Sequence, residues 1–210
     1  MLHCMFLKLK IGPKLRFLSL LISKFEEKIM LDQIFTDLYN ELKFGYLKKK
    51  HPFRYFCLAS TNQNKINQRT VVLRKITESN ELIIYTDARS QKIKEYAENK
   101  LASALFYHPK KLLQIQVQGK IQIITSGKEY QEHWQKIQGN SQNDFITQLP
   151  PGTPIKNPDE VSYKVEGHHF CLLKLKMNYV EYLQLKRPNH IRASFTLNEE
   201  KEWEGQFLNP

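Results

Sequence analysis

Between Arg69 and Lys92 the chain reads RTVVLRKITESNELIIYTDARSQK, two short apolar runs with Arg69, Arg74, Thr86, Arg89, Ser90 and Lys92 gathered around their ends. These side chains share one chemistry: they donate hydrogen bonds or carry positive charge, and so suit an anion. The run ending Tyr85-Thr86-Asp87 leads into helical spacing from about Ser90. A helix start at that point aims free N–H groups and the positive end of the helix dipole at one spot. Arginine suits a phosphate because its planar fork can donate two parallel hydrogen bonds. A solvated surface on a Lys-rich protein would show the same residue types, and without a glycine-rich loop the pattern alone does not separate the two readings. The run 69–75 reads as the strand preceding 81–86 in one hairpin, which would bring Arg69 to the end of the sheet occupied by Thr86. Arg69 and Arg74 are five apart, so in a regular strand they point to opposite faces, and one ligand meets both only around a bulge or a strand end.

Other candidates for chemistry are weaker. His168 and His169 are adjacent, so on a strand they face opposite ways and do not readily chelate one ion. His133 lies on an apolar helical stripe and reads as a packed core histidine. Cys57 has no basic cluster near it in sequence and reads as an inert thiol. No GxSxG, HExxH or Walker loop occurs, and no metal site is predicted.

The elements that must position the donors are mostly strands. Leu31, Ile34, Phe35, Leu38 and Leu42 recur at helical spacing, so a helix opens the domain. RYFCLAS (54–60), RTVVLRK (69–75) and ELIIYT (81–86) are β-branched or aromatic runs separated by polar turns, read as antiparallel hairpins. A helix follows over 90–99, with Asp87 or Ser90 as its N-cap. LLQIQVQGKIQII alternates strictly, Ile115, Val117, Ile121 and Ile123 on one face against Gln114, Gln116, Gln118, Lys120 and Gln122 on the other. Ser126 to Glu129 has the spacing of a capping box, before a helix with Tyr130, His133, Trp134 and Ile137 inward. QLPPGTPIKNP (148–158) is an irregular loop. HHFCLLKL, YVEYLQL, HIRASFTL and EWEGQFL supply four more strands. The expected fold class is mainly β with helices (α+β), a small antiparallel barrel.

Length and composition set the frame: 210 residues with 41% apolar and 25% charged residues make one ordinary globular domain. The formal net charge of +11 is spread out, and residues 1–30 alone carry six Lys/Arg against two Glu. A solvated surface accounts for most of it, leaving nucleic-acid binding a minor alternative. Residues 1–29 read as a leader outside the domain, disordered or an upstream extension, with 30–210 as the domain; a weak amphipathic helix is the alternative. Its apolar core is too short for a bilayer span and no small-x-small cleavage site follows. Cys4, Cys57 and Cys171 form no pair, which favours a reducing cytoplasm.

QRTVVLR, then YTDARSQK, then Gln114 after FYHPKKLL resemble pyridoxamine 5′-phosphate oxidase-like proteins of the FMN-binding split-barrel superfamily. The resemblance covers about residues 50–210. RTVV with TDxRSxK looks closer to the FMN-binding subfamily also found in cyanobacteria and plants than to the biosynthetic oxidases. It implies an FMN-binding split β-barrel that is antiparallel and homodimeric, with the cofactor at the dimer interface. Arg69 then matches a phosphate-binding Arg, and the backbone around Val71 and Val72 the segment along the flavin ring. Tyr85-Thr86 matches a Tyr-Thr pair at the phosphate. Ser90-Gln91-Lys92 matches a Ser-Arg-Lys, so Gln91 stands at an Arg position and Arg89 is placed to compensate. Arg74 stands where the oxidases carry a Lys near flavin and substrate, and Gln114 matches a Gln that bonds the cofactor. The departures fall on substrate-holding positions. His190-Ile191-Arg192-Ala193-Ser194 replaces an Arg-Leu-His-Asp-Arg motif, Leu183 a Trp, and His133 and Ile137 a Tyr and an Arg. Arg192 is the remaining substrate-side candidate. The expectation is a cytoplasmic homodimeric FMN oxidoreductase of unknown small-molecule substrate. The rivals are a flavin-binding protein without turnover of its own and a nucleic-acid-binding barrel supported only by charge and aromatic content.

Overall fold

Alternation of apolar and polar residues builds one antiparallel sheet. The computed structural model describes residues 13–210, with side chains from residue 19 onward. The strands are β1 (Tyr55–Asn62), β2 (Lys65–Val72), β3 (Lys75–Ile76), β4 (Glu81–Asp87), β5 (Leu101–His108), β6 (Leu113–Ile124), β7 (Phe170–Gln184), β8 (Ile191–Leu197) and β9 (Trp203–Phe207). Their order is β2-β1-β5-β6-β7-β4-β3, with β8 on β7 and β9 on β8. The sheet is not closed, but its two ends approach each other. Leu73 N donates to Arg54 O beside β1 (2.9 Å) and the next residue, Arg74, donates from its N to Ile83 O on β4 (2.9 Å).

Three sequence expectations need correction. β2 forms its hairpin with β1, Arg69 facing Leu58 across the pair, and β4 pairs with β7 and the short β3. HHFCLLKL and YVEYLQL belong to the single strand β7, fifteen residues long. Its pairing with β6 shifts between Gln118 and Gly119, opposite Asn178. Gly119 is required there, because an added Cβ would lie 1.9 Å from the carbonyl oxygen of Lys176. Helix α3 (Lys128–Trp134) starts from Gly127 at φ 94, not from a Ser126 capping box.

Helix α1 (Pro13–Leu47) buries Leu31, Ile34, Leu38 and Leu42 against the inner sheet face. It runs back through the segment set apart in the sequence as a leader, where residues 19–30 are exposed; residues 1–12, with Cys4, lie outside the described residues. Helix α2 (Gln91–Glu98) packs on β1 through Tyr96, whose hydroxyl donates to Ala59 O (3.1 Å). Below it lies the main core of Phe56, Leu58, Ile84, Phe106, Ile115, Val117 and Leu173. A second cluster of Ile83, Tyr130, Ile137, Phe145, Phe170 and Leu172 forms where α3 and the 3-10 turn Gly139–Phe145 cover the outer face of β4 and β7.

Candidate functional site

Successive residues of β4 point to opposite faces, and this sorts the candidates. Thr86 faces inward with Ile84; Tyr85 and Asp87 face outward. On the inner side, Ser90 is the N-cap of α2 and makes no side-chain cap bond. Its hydroxyl lies 3.3 Å from Thr86 Oγ1, to which Lys92 Nζ donates (2.9 Å). Lys92 has no bonded carboxylate among the described residues. Burial lowers its pKa from the usual lysine value, the Arg69 guanidinium adds to this, and Asp87 and Glu95 oppose it. Arg69 reaches this end through α2: Nη2 donates to Glu95 Oε2 (2.7 Å) and Nη1 to Ser60 Oγ (2.5 Å). Glu95, 1% exposed, also accepts from Ser60 Oγ and from Asn67 Nδ2 (2.9 Å).

On the outer side, Arg74 and Tyr85 line a cavity of about 310 Å³ with Arg54, Lys136, Gln138 and Ser141. The Arg74 guanidinium lies over the Tyr85 ring, 5.1 Å from its centroid, and its Nε is buried with no hydrogen-bond partner among the described residues. Burial lowers the Arg74 pKa from its ordinary value, with Tyr85 opposing. The Tyr85 hydroxyl shares a 2.7 Å hydrogen bond with His133 Nδ1. His133 is buried, as its stripe implied, but it also has this polar partner. Arg54 and Lys136 were not singled out in the sequence, since nothing local to either indicates that they meet Arg74.

The remaining candidates lie apart. Arg89 joins neither group, being bonded to Asp87 and to the carbonyls of Thr147, Gln148 and Leu149. Val71 and Val72 end β2, which among the described residues is an edge strand paired only with β1, leaving the backbone groups along its other edge without a strand partner there. Gln114 and Arg192 flank Leu183 on the outer face of the sheet. Arg192 is bound to Glu181 (2.9 Å). Thr86 pairs with Cys171 and Gln114 with Leu183, twelve residues further along β7. That is at most about 40 Å along a bulged strand, which sets Gln114 and the phosphate-type donors toward opposite ends of β7. His168 stacks on Trp134 at 3.9 Å.

A further cluster escaped the sequence reading because its members come from α1, the turn before β1 and the end of β5. Glu41, His51 and His108 bring ligand-type atoms within 4.8 Å of one another. His51 Nε2 lies 3.3 Å from Glu41 Oε2, and Lys111 Nζ pairs with the other oxygen. Both imidazoles accept a backbone N–H at Nδ1, from Phe53 (3.2 Å) and Lys111 (3.3 Å). An ion held at both Nε2 atoms would need protons at those same Nδ1 positions, so this arrangement suits proton sharing better than metal ligation.

The inner donor set fits a phosphate monoester: two hydroxyls, an ammonium free of any bonded carboxylate, and the first-turn N–H groups of α2. The open edge of β2 and the unpartnered Arg74 Nε could take the polar edges of a planar ring. FMN has both parts, and it supplies two-electron redox chemistry when bound. Comparison with known proteins agrees. Residues 32–125 match the family model described as pyridoxamine 5′-phosphate oxidase, FMN-binding domain. The chain is 30% identical over 176 residues to pyridoxine/pyridoxamine 5′-phosphate oxidase 2 of Arabidopsis thaliana, covering 74% of this chain and 87% of that one. It is 30% identical over 144 residues to the pyridoxine/pyridoxamine 5′-phosphate oxidase of Psychrobacter cryohalolentis, 68% of this chain but only 62% of that protein's length. A pyridoxamine 5′-phosphate oxidase-related, FMN binding protein from Nostoc punctiforme superposes with a TM-score of 0.70 at 27% identity, over 83% of this chain and 96% of the other. On these grounds the chain belongs to the pyridoxamine 5′-phosphate oxidase family of FMN-binding proteins.

Proposed function

We propose that the protein is an FMN-dependent oxidoreductase that works as a homodimer. The observation that carries this is the carboxylate-free donor set of Thr86, Ser90 and Lys92 at the start of α2. In this reading those residues hold the flavin's phosphate, and Arg69, itself paired with Glu95, adds its positive charge beside them. The backbone of Val71 and Val72 lies along the flavin ring, and Arg74 with Tyr85 stands on the substrate side. A cation near the ring favours the reduced, anionic flavin.

A second copy completes the site. The outer sheet face exposes Tyr55, Leu101, Leu105 and Tyr107 beside Gln114 and Gln116, an apolar area of the kind that marks an interface. Pairing two chains through it would bring Gln114 and Arg192 of one copy toward the donors of the other, whereas within one chain they stand toward opposite ends of β7. The substrate is not pyridoxamine 5′-phosphate in this reading, because His133 and Ile137 occupy the positions of the Tyr and Arg that hold its phosphate in the oxidases. Flavin binding without turnover is the second reading, favoured by Arg192 being already bound to Glu181.

The deciding experiment is the absorbance spectrum of the purified protein with and without added FMN. It is followed by peroxide release with pyridoxamine and pyridoxine 5′-phosphates. A flavin spectrum with little peroxide is expected. Failure to quench FMN fluorescence at micromolar concentration would overturn the assignment, and efficient turnover abolished by Arg192→Ala would restore the oxidase substrate.

A further inference from the structure

Arg89 stands between Thr86 and Ser90 in sequence, yet its guanidinium is turned to the other face of the sheet. All three of its nitrogens bond within the chain. Nε and Nη2 donate to the two carboxylate oxygens of Asp87 (3.1 and 2.7 Å), and Nη1 to Gln148 O (2.9 Å). Nη2 also donates to Thr147 O (2.9 Å) and Thr147 Oγ1 (3.1 Å). Asp87 is 4% exposed and accepts the Arg89 backbone N–H as well (2.7 Å). The cause lies in the pleat: Asp87 pairs with Phe170 on the outer face, and Arg89 follows its counter-charge there.

The segment that Arg89 holds is the base of an arm. Lys164 N donates to Ile146 O (2.7 Å), Gln148 N to Ser162 O (2.9 Å) and His169 N to Phe145 O (2.7 Å), so the chain leaves and returns side by side. The proline-rich stretch between these contacts is exposed. Just before the base, Ser141 lines the Arg74 cavity. Ala88 N donates to His169 O (2.7 Å), which ties the returning side to the same turn. Turning Arg89 toward an anion would leave Asp87 buried without its counter-charge.

We infer that Arg89 is a positioning residue that, with Asp87, docks the 146–149 segment onto the turn between β4 and α2. The clamp fixes Ser90 and the first turn of α2 for the cofactor's phosphate while Arg89 itself never touches it. This rests on the FMN reading above, and it excludes Arg89 from the phosphate donors.

The test compares Arg89→Ala and Asp87→Asn for FMN affinity by fluorescence quenching and for peptide-resolved hydrogen exchange in the absence of flavin. Under the clamp, both variants weaken FMN by about tenfold, the equivalent of one charge-assisted hydrogen bond. Both also speed exchange over 145–164 and leave β6 protected. If Arg89 were a phosphate ligand, Asp87→Asn would free it and FMN would bind as well or better; that result overturns the inference. Unchanged exchange over 145–164 in both variants overturns it too. If the unaltered protein takes up no FMN, the cofactor reading falls, and the exchange arm alone decides whether the clamp exists.

Discussion

Replacing Lys92 with Met should move stability and cofactor affinity in opposite directions. Lys92 is a partly buried ammonium whose one direct bond runs to the Thr86 hydroxyl, and burial already works against its charge. Without a phosphate the charge is therefore a liability, and methionine keeps most of the apolar stem. The apoprotein should unfold at the same or a higher urea concentration, gaining up to about 1 kcal/mol. With FMN present, one charge-assisted hydrogen bond to the phosphate is lost, worth about 1.5–3 kcal/mol, or roughly 10- to 150-fold in affinity. Riboflavin, which lacks the phosphate, should bind both proteins alike. Lys94→Met, at an exposed position on the same helix, is the control and should change neither quantity. Fluorescence quenching with the two flavins and a urea series supply the numbers. Equal losses for FMN and riboflavin, or a destabilised apoprotein, would show that Lys92 serves packing and not the phosphate.

Acid should destabilise the fold: burial is the leading cause that lowers the pKa of His51, His133, His168 and His169. The unfolded chain then binds more protons below about 6.5, so the urea midpoint should be lower at about pH 5.5 than at about pH 7.5, and a higher one would contradict the burial argument. Gly119→Ala places a Cβ 1.9 Å from Lys176 O and should cost about 3 kcal/mol by the same urea assay. Leu105→Lys with Tyr107→Glu, both exposed on the open sheet face, should leave circular dichroism unchanged while light scattering reports a monomer; a persistent dimer would place the interface elsewhere. Removing residues 1–29 should change the urea midpoint by no more than about 0.5 kcal/mol equivalent, since among the described residues of that segment 19–29 are all exposed.

Where one face of an element is buried, the sequence declared it. The alternation of β6 and the helical spacing of Leu31 to Leu42 were legible because solvent and core impose opposite residue types. β7 looked like two strands for the same reason, since the extra residue Asn178 resets the inward-outward phase and makes its halves read as separate runs. The capping box failed because Glu129, its required acid, pairs instead with Lys174 on β7 (2.7 Å), a partner distant in sequence. Within the site, Arg69, Thr86, Ser90 and Lys92 were legible as donors around a helix start. That Tyr85 and Thr86 serve opposite faces was implicit in their adjacency. The route by which Arg69 arrives was not, because the crossing at Leu73-Arg74 depends on hydrogen bonds to Arg54 and Ile83 that no local pattern announces. Arg54, Lys136 and the Glu41–His51–His108 cluster are assembled wholly by tertiary structure.

The central place of β7 bears on how the protein is made. It pairs with β4, β6 and β8, and it begins only at Phe170. During synthesis from the N-terminus, the neighbouring edges of β4 and β6 therefore stay open, with unpaired backbone groups, until most of the chain has left the ribosome. Such pairings of high sequence separation fold slowly and leave strand edges able to capture other chains meanwhile. A ribosome stalled before residue 170 would present a nascent chain whose phosphate-type donors are all translated, yet whose sheet lacks the strand that joins β6 to β4, a species suited to chaperone capture and poorly built to hold flavin.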